Sequence, residues 1–298
     1  MVKNLICISD IHIDIDNKSD GRTVKSETEK INYFLNQFIN YCKNNATEET
    51  RIIVAGDIFE SKSKITSESF TCAQNFFKEL GNITKVYVCA GNHDYNVNNP
   101  ERENWLNALF NHNISNVTYL DKELNFKSGI YEDENVAFCL YSHFDNFQRP
   151  NIEEYKEQNP EKSLIGLIHG EIEGATNASN YVSESNKGDF VIKHNVFENL
   201  NFVISGHIHK RQTLTKNGVT VIYCGSLFQQ NFGEDVDYHG GVEWDVMREK
   251  YKFFDLDNGG YGYYIIEINS VDDIENDDED WKNKGEKIID NWDDEELF

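Results

Sequence analysis

An α/β protein with two packed β-sheets is predicted by three features of this 298-residue sequence. Short β-branched runs each end in a polar cluster, most of them containing glycine. The early runs are separated by stretches of helical period. The later half strings strand-like runs together with little helix between them.

The first run, Leu5–Ile8, leads into Ser9-Asp10, and Ile52–Ala55 leads into Gly56-Asp57. Val86–Ala90 leads into Gly91-Asn92-His93-Asp94, Leu164–Ile168 into His169-Gly170, and Phe202–Ile204 into Ser205-Gly206-His207. Near-continuous apolar runs of this length suit strands buried on both faces. Between the first two runs, Ile31, Phe34, Leu35, Phe38, Ile39 and Cys42 form one apolar stripe, with Ser26 and Glu29 as the expected capping box. A second stripe, Phe70, Ala73, Phe76, Phe77 and Leu80, is expected to close at Gly81. Pro100 opens a third candidate helix carrying Trp105, Leu106, Leu109 and Phe110. This β-α-β-α-β order predicts a parallel sheet with right-handed crossovers. Further strands are expected at 117–120, 124–130, 136–141, 219–224, 242–246, 251–256 and 261–268, enough for a second sheet with helices outside.

Hydrophobic residues at 39 % and aromatics at 13 % support a globular core rather than disorder. The six cysteines (Cys7, Cys42, Cys72, Cys89, Cys139, Cys224) are scattered without a C-x-x-C pair; four lie in apolar, strand-like runs and read as small buried hydrophobes, and a reducing compartment is expected. The apolar stretch after Met1-Val2-Lys3-Asn4 is too short for a signal peptide or membrane span, and a soluble, cytosolic chain is expected. Net charge is -24; residues 271–298 hold 13 acidic and 3 basic side chains, hence -10. We therefore expect a catalytic domain over 1–268 and an acidic tail over 269–298 that serves either solvation or partner docking. Such a negative surface argues against simple, unaided DNA binding, because basic groups supply most of that affinity.

The polar clusters all fall at strand C-termini, which meet along one edge of an open α/β sheet. They bring together Asp10, His12, Asp57, Asn92, His93, His169, His207 and His209. Carboxylate, imidazole and amide oxygen without thiolate suit Mn²⁺, Fe²⁺ or Zn²⁺ and disfavour a structural zinc site. Asp10/His12 and His207/His209 are spaced i, i+2, which on extended backbone points both side chains to one face. The set is too large for one ion and right for two, the arrangement that stabilises the attacking and leaving oxygens of a phosphoryl displacement.

The series D-x-H, G-D, G-N-H-D, H and G-H-x-H resembles the calcineurin-like metallophosphoesterase superfamily over residues 5–268. That resemblance implies a four-layer αββα sandwich of two mixed sheets flanked by helices. It also implies that Asp10, His12 and His209 hold one metal, that Asn92, His169 and His207 hold the other, and that Asp57 bridges them. His93 would contact the scissile phosphate and protonate the leaving oxygen, oriented by Asp94. Ser9-Asp10-Ile11-His12, Gly56-Asp57-Ile58-Phe59, Gly206-His207-Ile208-His209 and the Gly225–Glu234 segment look most like the nuclease subunit of SbcCD-type exonucleases, bacterial and phage. This nearer resemblance implies a Mn²⁺-dependent DNA exonuclease-endonuclease of recombination and repair, partnered by an SbcC-like SMC/ABC ATPase and compatible with a homodimer. Two departures stand out. Glu60 follows the Gly-Asp-x-Phe string where many relatives carry histidine, and too few residues follow the last strand for a full DNA-capping domain. The alternative reading is a stand-alone phosphodiesterase or phosphatase for a small phosphate ester, which the net charge favours. His143 and His239 are candidates for lining the cleft, while Trp244 and Tyr263 read as core residues. The string Phe232-Gly233-Glu234 has no account at this level.

Overall fold

The computed structural model describes residues 1–19, 21–95, 104–111, 114–184 and 191–263. Pro100, His112, the greater part of the expected strand 261–268 and the tail 269–298 lie outside them.

The elements follow in the order β1 (Asn4–Ile8), α1 (Val24–Asn45), β2 (Thr50–Ala55), α2 (Ser67–Ile83), β3 (Val86–Cys89), α3 (Trp105–Phe110) and β4 (Val117–Tyr119). Then come α4 (Leu120–Glu123), β5 (Gly129–Asp133), β6 (Val136–Tyr141), α5 (Ile152–Gln158), β7 (Ser163–His169) and β8 (Phe202–Gly206). The last four strands are β9 (Gln212–Lys216), β10 (Val219–Tyr223), β11 (Gly240–Asp245) and β12 (Lys250–Asp255). They make two mixed six-stranded sheets, ordered β12-β11-β1-β2-β3-β4 and β5-β6-β7-β8-β10-β9. In the first sheet β1-β2-β3-β4 are parallel with antiparallel β11 and β12 on one side, and in the second β6-β7-β8-β10 are parallel with antiparallel β5 and β9 at the two edges.

Strand alternation decides what each face meets. In β1, Leu5 and Cys7 point toward the second sheet, while Ile6 and Ile8 point toward the helices. Ile53, Ala55, Tyr87 and Cys89 join the first pair and meet Phe138, Leu140, Ile165, Leu167 and Ile204 in the core between the sheets. Phe34, Phe38 and Phe77 of α1 and α2 cover the outer face of the first sheet, and Ile152 of α5 covers that of the second. The result is the αββα layering, with every central strand buried on both sides. Each fully buried side chain of this size contributes about 1.5–3 kcal/mol.

Several boundaries differ from the sequence reading, each for a local reason. Helix α1 starts three residues earlier, because Thr23 and Ser26 cap each other: Ser26 N–H donates to Thr23 Oγ1 at 3.2 Å, and Thr23 N–H to Ser26 Oγ at 2.9 Å. Gly81 does not end α2, which runs on to Ile83; a Cβ there would lie 2.2 Å from Ser115 O, so glycine serves close packing rather than capping. Of the expected strand 124–130 only Gly129 and Ile130 are strand, since α4 occupies 120–123 and β5 runs over Gly129–Asp133. All six cysteines are free, five of them buried. Among the described residues no helix is long and apolar enough to cross a membrane.

Candidate active site

The C-terminal ends of β1, β2, β3, β7 and β8 bring Asp10, His12, Asp57, Asn92, His93, His169, His207 and His209 to one cleft of about 390 Å³, with Asp10 and His169 buried beneath it. The backbone leaves the strands abruptly. Asp10, His12, Asp57 and His207 all have positive φ, between 50° and 90°, a conformation that costs a non-glycine residue of order 1–3 kcal/mol. Such strain concentrated at one site is a mark of function. The loops also approach very closely: a Cβ on Gly91 would lie 2.1 Å from Asp57 Oδ1.

Three of the histidines share a polarity. His169 Nδ1 lies 2.8 Å from Ala55 O and must donate its proton there, because a carbonyl only accepts. His209 Nδ1 lies 2.7 Å from Glu234 Oε1. For His12, Glu60 Oε2 lies 2.6 Å from Nδ1, though without the alignment of a full hydrogen bond. Each contact leaves the Nε2 lone pair facing inward. There His12 Nε2 and His209 Nε2 stand 3.1 Å apart, at 3.9 and 3.7 Å from Asp10 Oδ1. His169 Nε2, buried without an aligned hydrogen bond, is 3.0 Å from Asp57 Oδ2 and 3.8 Å from Asp10 Oδ1. Asp57 Oδ2 is also 3.7 Å from His12 Nε2, so this carboxylate reaches both groups. His207 differs, with Nδ1 against Asn92 Oδ1 at 2.8 Å.

Inward lone pairs opposite buried carboxylates are the donor set of divalent cations, so these residues fit the two metals that the calcineurin-like family uses. The charge field points the same way. Burial raises the Asp57 carboxyl, but His169, His12 and His93 outweigh it and hold the group well below the ordinary carboxylate range. Burial lowers His169 and His209, yet Asp57 and Asp10 push the first to about 9, and Glu234 and Asp10 push the second to about 9. His207 goes down to about 4 through burial and the neighbouring His169.

His93 sits at the mouth with its side chain 30 % exposed. Its backbone N–H donates to Asp57 Oδ1 at 2.8 Å, and its Nδ1 lies 2.5 Å from the Glu60 carbonyl oxygen. The expected orientation of the His93 ring by Asp94 is therefore corrected: Glu60 holds that ring. Asp94 is fully buried and accepts from the backbone N–H groups of Gly91, Asp57, Ile58 and Phe59 at 2.8–3.2 Å, tying the two ligand loops together. Burial and the Asp57 charge push its carboxyl up to about 7.

Two residues named in the sequence analysis take roles in this geometry that sequence reasoning did not give them. Glu234 accepts from Asn231 Nδ2, Ser226 Oγ and Gln230 N–H at 2.7–3.1 Å while holding His209, which gives the Phe232-Gly233-Glu234 string its account. Glu60 stands between His12 and His93. His239 does not line the metal cluster; it is fixed in the wall by Ser226 and the Asp235 carbonyl. His143 is half-buried, its ring 5.8 Å from that of His169, and is lowered to about 3 by desolvation and by His169. Tyr263 is not core, since it lines the cleft beside Arg22.

Two viral proteins and one solved structure are similar to this chain. An uncharacterised protein of Acanthamoeba polyphaga mimivirus is 30 % identical over 278 residues, which is 90 % of this chain but only 19 % of that protein. A protein of Invertebrate iridescent virus 6 named as a phosphoesterase is 28 % identical over 211 residues, covering 68 % of this chain and 67 % of its own. A solved dimetal phosphatase from Danio rerio aligns with a TM-score of 0.47 and 12 % identity, covering 81 % of this chain and 92 % of its own. Residues 3–211, which carry every candidate ligand, match the calcineurin-like phosphoesterase family, and the chain belongs to it.

Proposed function

We propose that the chain is a two-metal phosphodiesterase that cuts nucleic-acid strands, with Mn²⁺ as its working metal and an SMC-like ATPase as its partner. The observation that carries the hydrolytic part is the convergence of three inward-facing Nε2 atoms on Asp10 and Asp57, with His93 poised at the mouth. In this reading Asp10, His12 and His209 hold one ion, Asn92, His169 and His207 the other, and Asp57 serves both. When bound, such ions activate water and neutralise charge on the phosphate oxygens. The chain's own residues do the rest. Asp94 and Glu234 fix the ligand loops, so the site reorganises little on binding. Glu60 occupies His93 Nδ1, which leaves Nε2 for the substrate. Water attacks phosphorus, the bond to the leaving oxygen breaks, and His93 donates the proton that oxygen takes up.

Strand cleavage is favoured by the likeness of the Gly225–Glu234 segment to SbcCD-type nucleases and by its place against His209. The second reading, a stand-alone hydrolase for a small phosphate ester, is favoured by the net charge of -24. The deciding experiment sets linear DNA against cyclic nucleotides with Mn²⁺, with and without an ATPase encoded beside the gene. Cleavage of DNA, stimulated by the ATPase, is expected. Turnover of cyclic nucleotides alone would reject the nuclease reading and leave the phosphodiesterase.

A further inference from the structure

We propose that the cleft in front of the ligand cluster carries a nucleotide-binding subsite, with Phe232 and Tyr263 receiving a base and Lys18, Arg22 and Lys30 a phosphate next to the scissile one. The proposal rests on the phosphodiesterase reading above and narrows its substrate to a chain of nucleotides.

The same continuous cleft that holds His93 at its mouth and the inward-facing histidines deeper in has Lys18, Arg22, Lys30 and Tyr263 in its wall. Three cations thus stand on one wall of a cleft that also carries Asp14, Glu27, Asp57 and Glu60. They are held there by construction. The buried Glu27 carboxylate lies 2.8 Å from Lys30 Nζ and 3.4 Å from Arg22 Nη1, so a single negative charge sets two cations side by side. Lys18 is paired with Asp14. A guanidinium has five N–H donors and an ammonium three, so contact with one carboxylate does not exhaust either.

The aromatic half is fixed just as firmly. Gln229 clasps the Tyr263 backbone, accepting its N–H at 2.6 Å and donating to its carbonyl at 3.2 Å. Arg22 Nη1 donates to the Tyr263 hydroxyl at 2.5 Å, and the Arg22 and Lys30 charges lie 5.3 and 5.8 Å from the ring centre. Phe232 stands 4.9 Å from that ring and is 60 % exposed. The turn that presents it is the one that seats Glu234 on His209: Asn231 Oδ1 accepts from Gly233 N–H at 2.8 Å, and Asn231 Nδ2 donates to Glu234. Base platform and metal-ligand geometry are thus set by one four-residue turn. Aromatic faces beside cations are how proteins hold single strands without reading their sequence.

The test measures binding of fluorescein-labelled pentathymidylate with phosphorothioate links, which resist cleavage, to the metal-loaded full chain by fluorescence anisotropy. An abasic oligomer with the same backbone serves as the second ligand. Phe232→Ala is expected to weaken pentathymidylate about tenfold and leave the abasic oligomer unchanged. Lys30→Gln is expected to weaken both, and to make the slope of log Kd against log salt shallower by about 0.7. Equal loss for both ligands in Phe232→Ala, no loss in either variant, or no binding by the wild-type chain would overturn the subsite. Circular dichroism and metal content confirm that the variants fold. Hydrolysis of bis-p-nitrophenyl phosphate, which has no base, reports separately on the phosphodiesterase. Its absence beside base-dependent binding faults that reading alone, whereas its presence beside insensitive binding faults the subsite alone.

Discussion

Asp57 and His93 meet in one hydrogen bond, yet their substitutions should part company. His93→Leu is expected to keep close to two metals per chain and lose hydrolysis by about 10²–10⁴-fold, the usual share of general acid catalysis. Asp57→Asn should lower metal occupancy instead, because its Oδ2 faces both His12 and His169. Elemental analysis of the two purified variants separates these outcomes, and the inverse pattern would exchange the assigned roles. Glu234→Gln is expected to weaken metal binding by about 10–100-fold, since the Nδ1 partner sets ring orientation and basicity; calorimetric titration with Mn²⁺ checks it, and an unchanged affinity would reduce Glu234 to turn architecture. The candidate ligands were legible because each directly follows an apolar run. Their supports were not. Glu234 lies 25 residues from His209, and Glu60 lies 48 from His12, so only the closed fold pairs them.

At the scale of elements, the ligand loops are joined by Asp94 and the two sheets by Arg51. From the start of β2, Arg51 pairs with Asp133 at the end of β5 and with Glu134 at 2.9 Å; Lys85 reaches Asp133 at 2.8 Å. Arg51 and Asp133 are both buried. Burial alone would raise Asp133, but hydrogen bonds from Arg51, Lys85 and Tyr87 hold it below the ordinary value. A carboxyl lowered on folding stabilises the protein above its unfolded pKa, about 3.9, and that stability is lost as pH falls through the folded value. Asp133→Ala is therefore expected to cost up to about 3–5 kcal/mol at pH 7, where it removes the buried partner of Arg51 and leaves only the exposed Glu134. The deficit should narrow in acid, as the wild-type carboxylate is protonated. Urea unfolding at pH 7 and at pH 3 checks both; a deficit unchanged by pH would mean that the ion pair does not link the sheets. Central strands were readable because two-sided burial makes them continuously apolar. Strand β9, Gln212–Lys216, is half-exposed and polar at an edge, and so carried no such signal. Gly81 misled because a close approach to Ser115 demands the same missing Cβ as a helix cap.

For the whole molecule, the αββα layering places five parallel strand ends along one edge and so gathers residues from position 10 to position 209. That much followed from motif order, because each ligand's strand could be found independently. The wall of the cleft did not, since Lys18, Arg22, Lys30 and Tyr263 meet across more than two hundred residues through Glu27 and Gln229. The central claim is hydrolysis of phosphodiesters that depends on bound metal, and it is met most directly by one assay. The chain is stripped with EDTA, dialysed, and assayed on bis-p-nitrophenyl phosphate before and after Mn²⁺ is returned, with metal content measured at each step. We expect no turnover in the stripped chain, and recovery as occupancy approaches two ions per chain. Undiminished turnover in excess EDTA, with no metal bound, would contradict the account.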